Sequence, residues 1–227
     1  EVVTPCVEVL IMLSHNEAAE VHLLSVTLVP DLIAVIGKEG QEERIQTRCV
    51  ELLHILVLQL RTSTLALQSV RDVKVLVGVI RVTLKHDKET LMKTLSVILR
   101  SLQLVDLLYE DIRGSGLSEA VCEVLLRYTG DESIEECCIQ IMALLVANSE
   151  ATHEAFKRRD VVSIVVDNMR VYKTKTLQLA CCKALAFLSK YMDVVDYLAI
   201  MNISGMLLYC ATTFNEAENV LHFAQCV

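Results

Sequence analysis

The chain has 227 residues, 53% of them apolar and 22% charged, with a formal net charge of −8 from 21 Lys+Arg against 29 Asp+Glu. That balance disfavours non-specific nucleic-acid binding, which needs cations to neutralise phosphates, and the apolar fraction excludes disorder. Seven Gly and two Pro are about a third of the ordinary share of roughly 12%, which argues against a turn-rich β-sandwich or barrel.

Both prolines, Pro5 and Pro30, fall in the first 30 residues. With no Trp and only 4% aromatics, the core must be aliphatic. No uninterrupted apolar run approaches the roughly 18 residues of a membrane-spanning helix. The opening, EVVTPCVEVL, lacks a Met and the basic stretch of a signal peptide. Because the chain begins and ends inside apolar periodic sequence, it is expected to be a piece of a longer protein. Nine cysteines, an odd number, are too sparse for a small disulfide scaffold, and a reducing, cytoplasmic location is expected.

Taken in chain order, five segments share one apolar helical pattern: VTPCVEVLIML (Val3–Leu13), IQTRCVELLHIL (Ile45–Leu56), LMKTLSVILRSL (Leu91–Leu102), SIEECCIQIMALLV (Ser133–Val146) and LQLACCKALAFLS (Leu177–Ser189). One column through them reads Met12, Ile55, Ser101, Leu144 and Phe187, spaced 43, 46, 43 and 43. A second landmark agrees: Arg71-Asp72-Val73 recurs as Arg159-Asp160-Val161, 88 residues later. A fixed period of this length is the signature of a stacked repeat.

One period reads as three helices. Residues 148–159 (NSEATHEAFKRR) form the first, with Asn148 as N-cap. The second, from Val161, is apolar at 161, 162, 165, 166 and 169. After a polar KTKT turn the third is apolar at 177, 181, 184, 185 and 188. Gly37, Gly40, Gly114, Gly116, Gly130 and Gly205 mark joints, whereas Gly78 falls inside a helix, where a close helix approach would explain it.

These segments resemble the armadillo/HEAT superfamily of helical repeats, and armadillo repeats more closely. The long third helix of such repeats ends in an Ala-Leu-x-Asn-Leu-like segment, read here as VLIML (9–13), LLHIL (52–56), ILRSL (98–102), IMALL (141–145) and ALAFL (184–188). The Cys- and Met-rich style slightly resembles the armadillo regions of leucine-rich-repeat kinases. The resemblance implies an all-α, right-handed α-solenoid: a single domain over 1–227, with about four full repeats and partial repeats at both ends. One three-helix unit cannot bury its apolar face alone, so stacking must create the core.

The resemblance also implies a binding face, the third-helix surface. In importin-α- and β-catenin-like proteins, third-helix Asn residues bind an extended peptide backbone, and importins add Trp one turn earlier. Here the Asn column is Met12, Ile55, Ser101, Leu144 and Phe187, and the Trp column is Glu8, Glu51, Val97, Gln140 and Lys183. Neither family residue is present in its column, which argues against nuclear-signal recognition. These ten positions remain the candidate partner-binding residues. The strip of Met12, Ile55, Leu144 and Phe187 could seat an amphipathic helix, although packing against neighbouring helices is the expected use of such apolar side chains. Glu8 and Glu51, neighbours by the repeat, could steer a basic segment.

Other chemistry is thinly supported. Cys6, Cys49, Cys138, Cys182 and Cys226 share one repeat column, with Leu95 in the missing place, and Cys122 and Cys210 share another. Helix spacing of about 8–10 Å is too wide for disulfides along a column, so the thiols read as small apolar filler. No metal-ligand spacing appears. His15, His22, His54, His86, His153 and His222 are scattered over different repeats. The acidic runs at 39–43 and 131–136 flank third-helix starts, where they complement the helix dipole, and Lys157-Arg158-Arg159 is expected to close a first helix for the mirrored reason.

The sequence therefore predicts a non-catalytic protein-interaction or scaffolding module with no cofactor or metal. Its partner is expected to be a protein or peptide, such as an amphipathic or basic helix, and neither nucleic acid nor membrane. Two further expectations are a regulatory contact with another domain of the same chain and homodimerisation through open repeat ends. A nucleic-acid-binding HEAT-like module ranks below both, for want of a basic stripe.

Overall fold

Long helices with apolar residues on a broad face fold against one another, and every predicted third-helix segment becomes one such helix. The computed structural model describes residues 3–16, 28–38, 40–59, 73–104, 112 and 114–214. Among these are twelve α-helices and one 3-10 turn, with no strand. Arg71, Asp72, Glu39, His22, His222 and Cys226 lie outside the described residues.

The chain divides into two compact units, Glu1–Leu107 with Ser115–Leu117, and Leu108–Gly114 with Ser118–Val227. The first holds α1 (Val3–Ser14), α2 (Leu28–Ile36), α3 (Glu43–Gln59), α4 (Val73–Thr83) and α5 (Lys88–Leu104). The third helices α1, α3 and α5 pack side by side, α1 on α3 and α3 on α5, while α2 and α4 pack behind α3 and α5 and touch each other. Leu52, Leu53 and Leu56 of α3 and Leu91, Leu95 and Ile98 of α5 are fully buried. Each such side chain contributes about 1.5–3 kcal/mol when removed from water.

The second unit holds α6 (Leu117–Arg127, after its first residue), α7 (Glu132–Asn148), α8 (His153–Phe156), α9 (Arg159–Val171), α10 (Lys175–Leu188), α11 (Met192–Ile200) and α12 (Ser204–Phe214). The third helices α7 and α10 make its most extensive contact, α9 backs α10, and α12 packs on α10. No single helix is long and apolar enough to cross a membrane among the described residues.

Asp131 caps α7, accepting from the Ile134 N–H, as its acidic run suggests. The joint after α7 departs from expectation. Asn148 is the last residue of α7, its Nδ2 donating to Leu144 O at 2.9 Å, and does not cap the next helix. The first helix of this repeat shrinks to a 3-10 turn at Glu150–Thr152 followed by α8. Two bonds pull the chain back onto α7: Thr152 Oγ1 donates to Ser149 O at 2.7 Å, and His153 Nε2 donates to Val146 O at 2.9 Å. A carbonyl only accepts, so Nε2 carries the proton, and Nδ1 meets the Tyr191 hydroxyl at 3.2 Å. The cationic run closes the first helix only through Lys157, the C-cap of α8, whose N–H donates to His153 O at 2.8 Å. Lys157 and Arg158 lie in the bend and Arg159 opens α9, with Arg158 bound to Asp160 at 2.6 Å. Nor does Gly78 mark a close approach, since a Cβ there would meet nothing within 4 Å. Gly130, at φ 92°, supplies the left-handed turn before α7.

A buried polar column, invisible to the apolar periodicity, orders the joints. Gln46 of α3 donates Nε2 to Ile36 O at 2.9 Å and Lys38 O at 3.3 Å, holding the end of α2, and its Oε1 meets His86 Nε2 at 3.1 Å. Gln178, 132 residues later, donates Nε2 to Met169 O at 2.8 Å and to Tyr172 O, at the end of α9, while its Oε1 accepts from Cys210 Sγ. Glu135, 43 residues before Gln178, accepts from Gly130 N at 2.9 Å. All three are buried. Residue 92 of α5, in the same column, is Met; there the helix start is held instead by Asp87, which accepts from Thr90 N and Thr90 Oγ1 at 2.9 and 2.8 Å.

Removing the Gln178 amide takes two hydrogen bonds from the end of α9, although Met169 O keeps Lys173 Nζ as a donor, so Gln178→Ala is expected to lower stability by about 2 kcal/mol. A urea-unfolding midpoint that moves far more for Gln178→Ala than for Thr212→Ala, an exposed position, would bear this out; equal midpoints would refute the clamp.

Candidate interaction surface on the third helices

In the first unit the third helices carry a ladder of ion pairs. Glu8 of α1 lies 3.6 Å from Arg44 of α3. Within α3, Arg48 pairs with Glu51 at 2.7 Å. Glu51 then reaches Lys93 of α5 at 3.7 Å, and Lys93 pairs with Glu89 at 2.8 Å. The repeat brings Glu8 and Glu51 onto this surface as expected, but each is already occupied by a cation of a third helix. Sequence reading missed Arg44, Arg48 and Lys93. Only the i, i+3 spacing of Arg48 and Glu51 and the i, i+4 spacing of Glu89 and Lys93 signalled any part of the ladder. Burial pushes the Glu51 carboxyl up, but the hydrogen bond from Arg48 and the charges of Lys93 and Arg48 outweigh it and hold the group below its ordinary value.

The apolar column divides by position. Met12 is 75% exposed and Ile55 half-buried, beside exposed Val9, Leu13 and Leu58, which the column analysis passed over. Val97 and Ser101 are not surface residues: both are 2% exposed. Ser101 Oγ donates to Val97 O of its own helix at 2.6 Å, which satisfies it and removes it from peptide binding. The expectation that the whole strip is packed away fails at Met12 and holds only partly at Ile55, Leu144 and Phe187, all half-buried.

In the second unit Thr176 Oγ1 of α10 donates to Glu136 Oε1 of α7 at 2.6 Å, and just past the ends of these helices Lys190 pairs with Glu150 at 3.1 Å. Both pairs are 40 residues apart and set the register. Gln140 Nε2 donates to Glu136 Oε1 at 3.1 Å. Lys183 is exposed, and Lys190 Nζ lies 5.9 Å from the Phe187 ring centroid. Where the two helices end, a cleft of about 310 Å³ is lined by Ala147, Asn148 and Ser149 on one side and by Phe187 and Lys190 on the other.

The thiols are placed for packing rather than chemistry. Cys49, Cys138 and Cys182 are buried in third helices as the column predicts, while Cys6 is exposed. Burial pushes Cys49 up to about 11 and Cys122 and Cys137 up to about 12. A larger cleft of about 470 Å³ between α6 and α8 includes Cys122, whose Sγ donates to Ala155 O at 3.5 Å. Among the described residues no group of His, Cys, Asp and Glu could hold a metal ion.

Because the folded Glu51 carboxyl is held low, its pairing stabilises the fold above the ordinary carboxyl pKa and is lost as pH falls through the lower, folded value. Glu51→Gln is therefore expected to destabilise at pH 7 and to bring variant and parent together in acid. Thermal midpoints recorded from pH 7 down to pH 3 check this; a gap that widens in acid would contradict it.

Sequence comparison matches the chain to no family model and to no curated protein. Solved structures match it along nearly its whole length. A designed armadillo repeat protein aligns at TM-score 0.71 and 11% identity, over 97% of this chain and 91% of the other. Another, in complex with the peptide (KR)4, aligns at TM-score 0.69 and 10% identity, over 98% and 92%. An engineered protein aligns at TM-score 0.67 and 13% identity, over 97% and 86%. With third helices packed on third helices in both units, at a period of 43 to 46 residues, and with these structural matches, the chain has the armadillo-like helical-repeat solenoid fold.

Proposed function

We propose that the chain is a non-catalytic protein-interaction module whose third-helix surfaces receive a segment of a protein partner. The observation that carries this reading is the exposed third-helix face itself: neighbouring third helices pack side by side and leave Met12, Ile55, Leu144, Lys183 and Phe187 reachable by a partner. A peptide-bound designed armadillo protein of the same fold supports the mode of binding. Its basic peptide is not carried over as such, because Glu8 and Glu51 are already paired with Arg44, Arg48 and Lys93.

The chemistry of the side chains favours binding over catalysis. Burial holds the thiols of Cys49, Cys122 and Cys137 protonated at neutral pH, where they are poor nucleophiles. Both ring nitrogens of His153 are engaged in structural contacts. Apolar thiols used as packing also fit a reducing, cytoplasmic setting.

A photo-crosslinking amino acid placed at Met12, Leu144 or Phe187 tests the reading in cells against one at Asp167, exposed on the second helix α9. Covalent protein adducts are expected from the third-helix positions and not from Asp167. Adducts at Asp167 alone, or at none of the four, would overturn the assignment of the binding face.

A further inference from the structure

The cleft at the ends of α7 and α10 holds an unsatisfied group. Ser149 lines it and is 2% exposed, and its hydroxyl is buried without a hydrogen-bond partner. Its backbone is already committed: the N–H caps α7 through Leu145 O, and the carbonyl accepts from Thr152. The hydroxyl itself therefore contributes nothing to the fold. A buried hydroxyl is unfavourable alone and becomes favourable once a ligand supplies its partner.

The surrounding groups define that ligand by what they offer, which is donors. Lys190 spends one N–H on Glu150 and sits on the cleft beside Phe187. Asn148 spends one N–H on Leu144 O. Lys183, one turn before Phe187, is exposed and has no charged partner among the described residues. The charged residues of α10 are Lys175 and Lys183, and the helix carries no acid at all. The single carboxylate at the cleft, Glu150, is held below its ordinary value by the hydrogen bond and charge of Lys190, so the two cancel, and the exposed Lys183 stands on α10 outside the lining.

We propose that this cleft is a subsite for an acidic side chain of a protein segment lying along α10, an inference that rests on the third helices being the binding face. The carboxylate accepts from the Ser149 hydroxyl and from Lys190, an adjacent apolar side chain packs on Phe187, and a second acid pairs with Lys183. Lys190 lies two residues past the end of α10 and seven positions from Lys183, about 10 Å if the helical rise of 1.5 Å per residue is carried on, which an extended segment spans in about three residues. The segment thus carries acids three apart with an apolar residue between. This is the opposite charge to the basic helix that Glu8 and Glu51 suggested.

Fluorescence anisotropy of the full chain with fluorescein-labelled Gly-Glu-Leu-Ser-Glu-Gly, and with its Lys-for-Glu counterpart, tests the proposal. The acidic probe is expected to bind, with Ser149→Ala and Lys183→Glu each weakening it about tenfold and added salt weakening it further. Ser149→Ala is expected to leave the thermal midpoint unchanged or raised, a combination that a structural hydroxyl would not give. Failure of the acidic probe to saturate at millimolar chain, unchanged affinity in both variants, or a lowered midpoint for Ser149→Ala would each overturn the subsite. Binding of the lysine probe in its place would overturn this inference and leave the wider reading standing. Crosslinks confined to Asp167 would remove both.

Discussion

Lateral contact between neighbouring third helices is the constraint on which each unit depends. A helix such as α7, with Ile134, Cys138, Ile139, Met142 and Leu145 all buried, is apolar around most of its circumference and cannot stand in water beside a single partner. It needs a neighbour at its side as well as one behind, and α10 supplies the first. Close lateral packing favours small side chains at the seam, which is the use found for Cys49, Cys138, Cys182 and Ala184. Leu95 fills the same column in α5 at full burial, so the seam tolerates a larger residue where its surroundings adapt. The second helices then close the back of the layer.

What remains exposed after that packing differs between the units. In the first, acids and bases alternate across α1, α3 and α5 and satisfy one another. Such a surface has little net field and is screened further by salt. In the second, acids gather at the start of α7, where the helix dipole and Thr176 use them, while α10 presents lysines. One fold, repeated with one period, therefore presents two electrostatically different faces. The difference comes from side chains that the packing leaves free to vary.

The fold was legible because burial imposes period on apolar residues: all five third helices appear where the 43-to-46-residue spacing puts them, and Asp131 begins α7 as its acidic context suggests. The candidate site was legible only in part. Position in a column gives a helix face but not the depth of burial, so Ser101 and Met12, in one column, end at 2% and 75% exposure. Glu8 and Glu51 were visible as charges, but of their partners only Arg48 lies within local reach of Glu51, whereas Arg44 is 36 positions from Glu8 and Lys93 is 42 from Glu51, where no local rule pairs them. The Ser149 hydroxyl escaped for a different reason. Its property is the absence of a partner, and only coordinates show that.

The buried amides of Gln46 and Gln178 bear on how such a chain changes over time. Each fastens the end of one helix to the body of the next through side-chain bonds that span ten and nine residues. The peptide between is thereby relieved of fixing the angle at which the two helices meet. Connecting segments can lengthen, shorten or drift in composition while the helix arrangement is inherited intact. A lineage could thus remodel its loops freely and still be held to a polar residue in the middle of a greasy core.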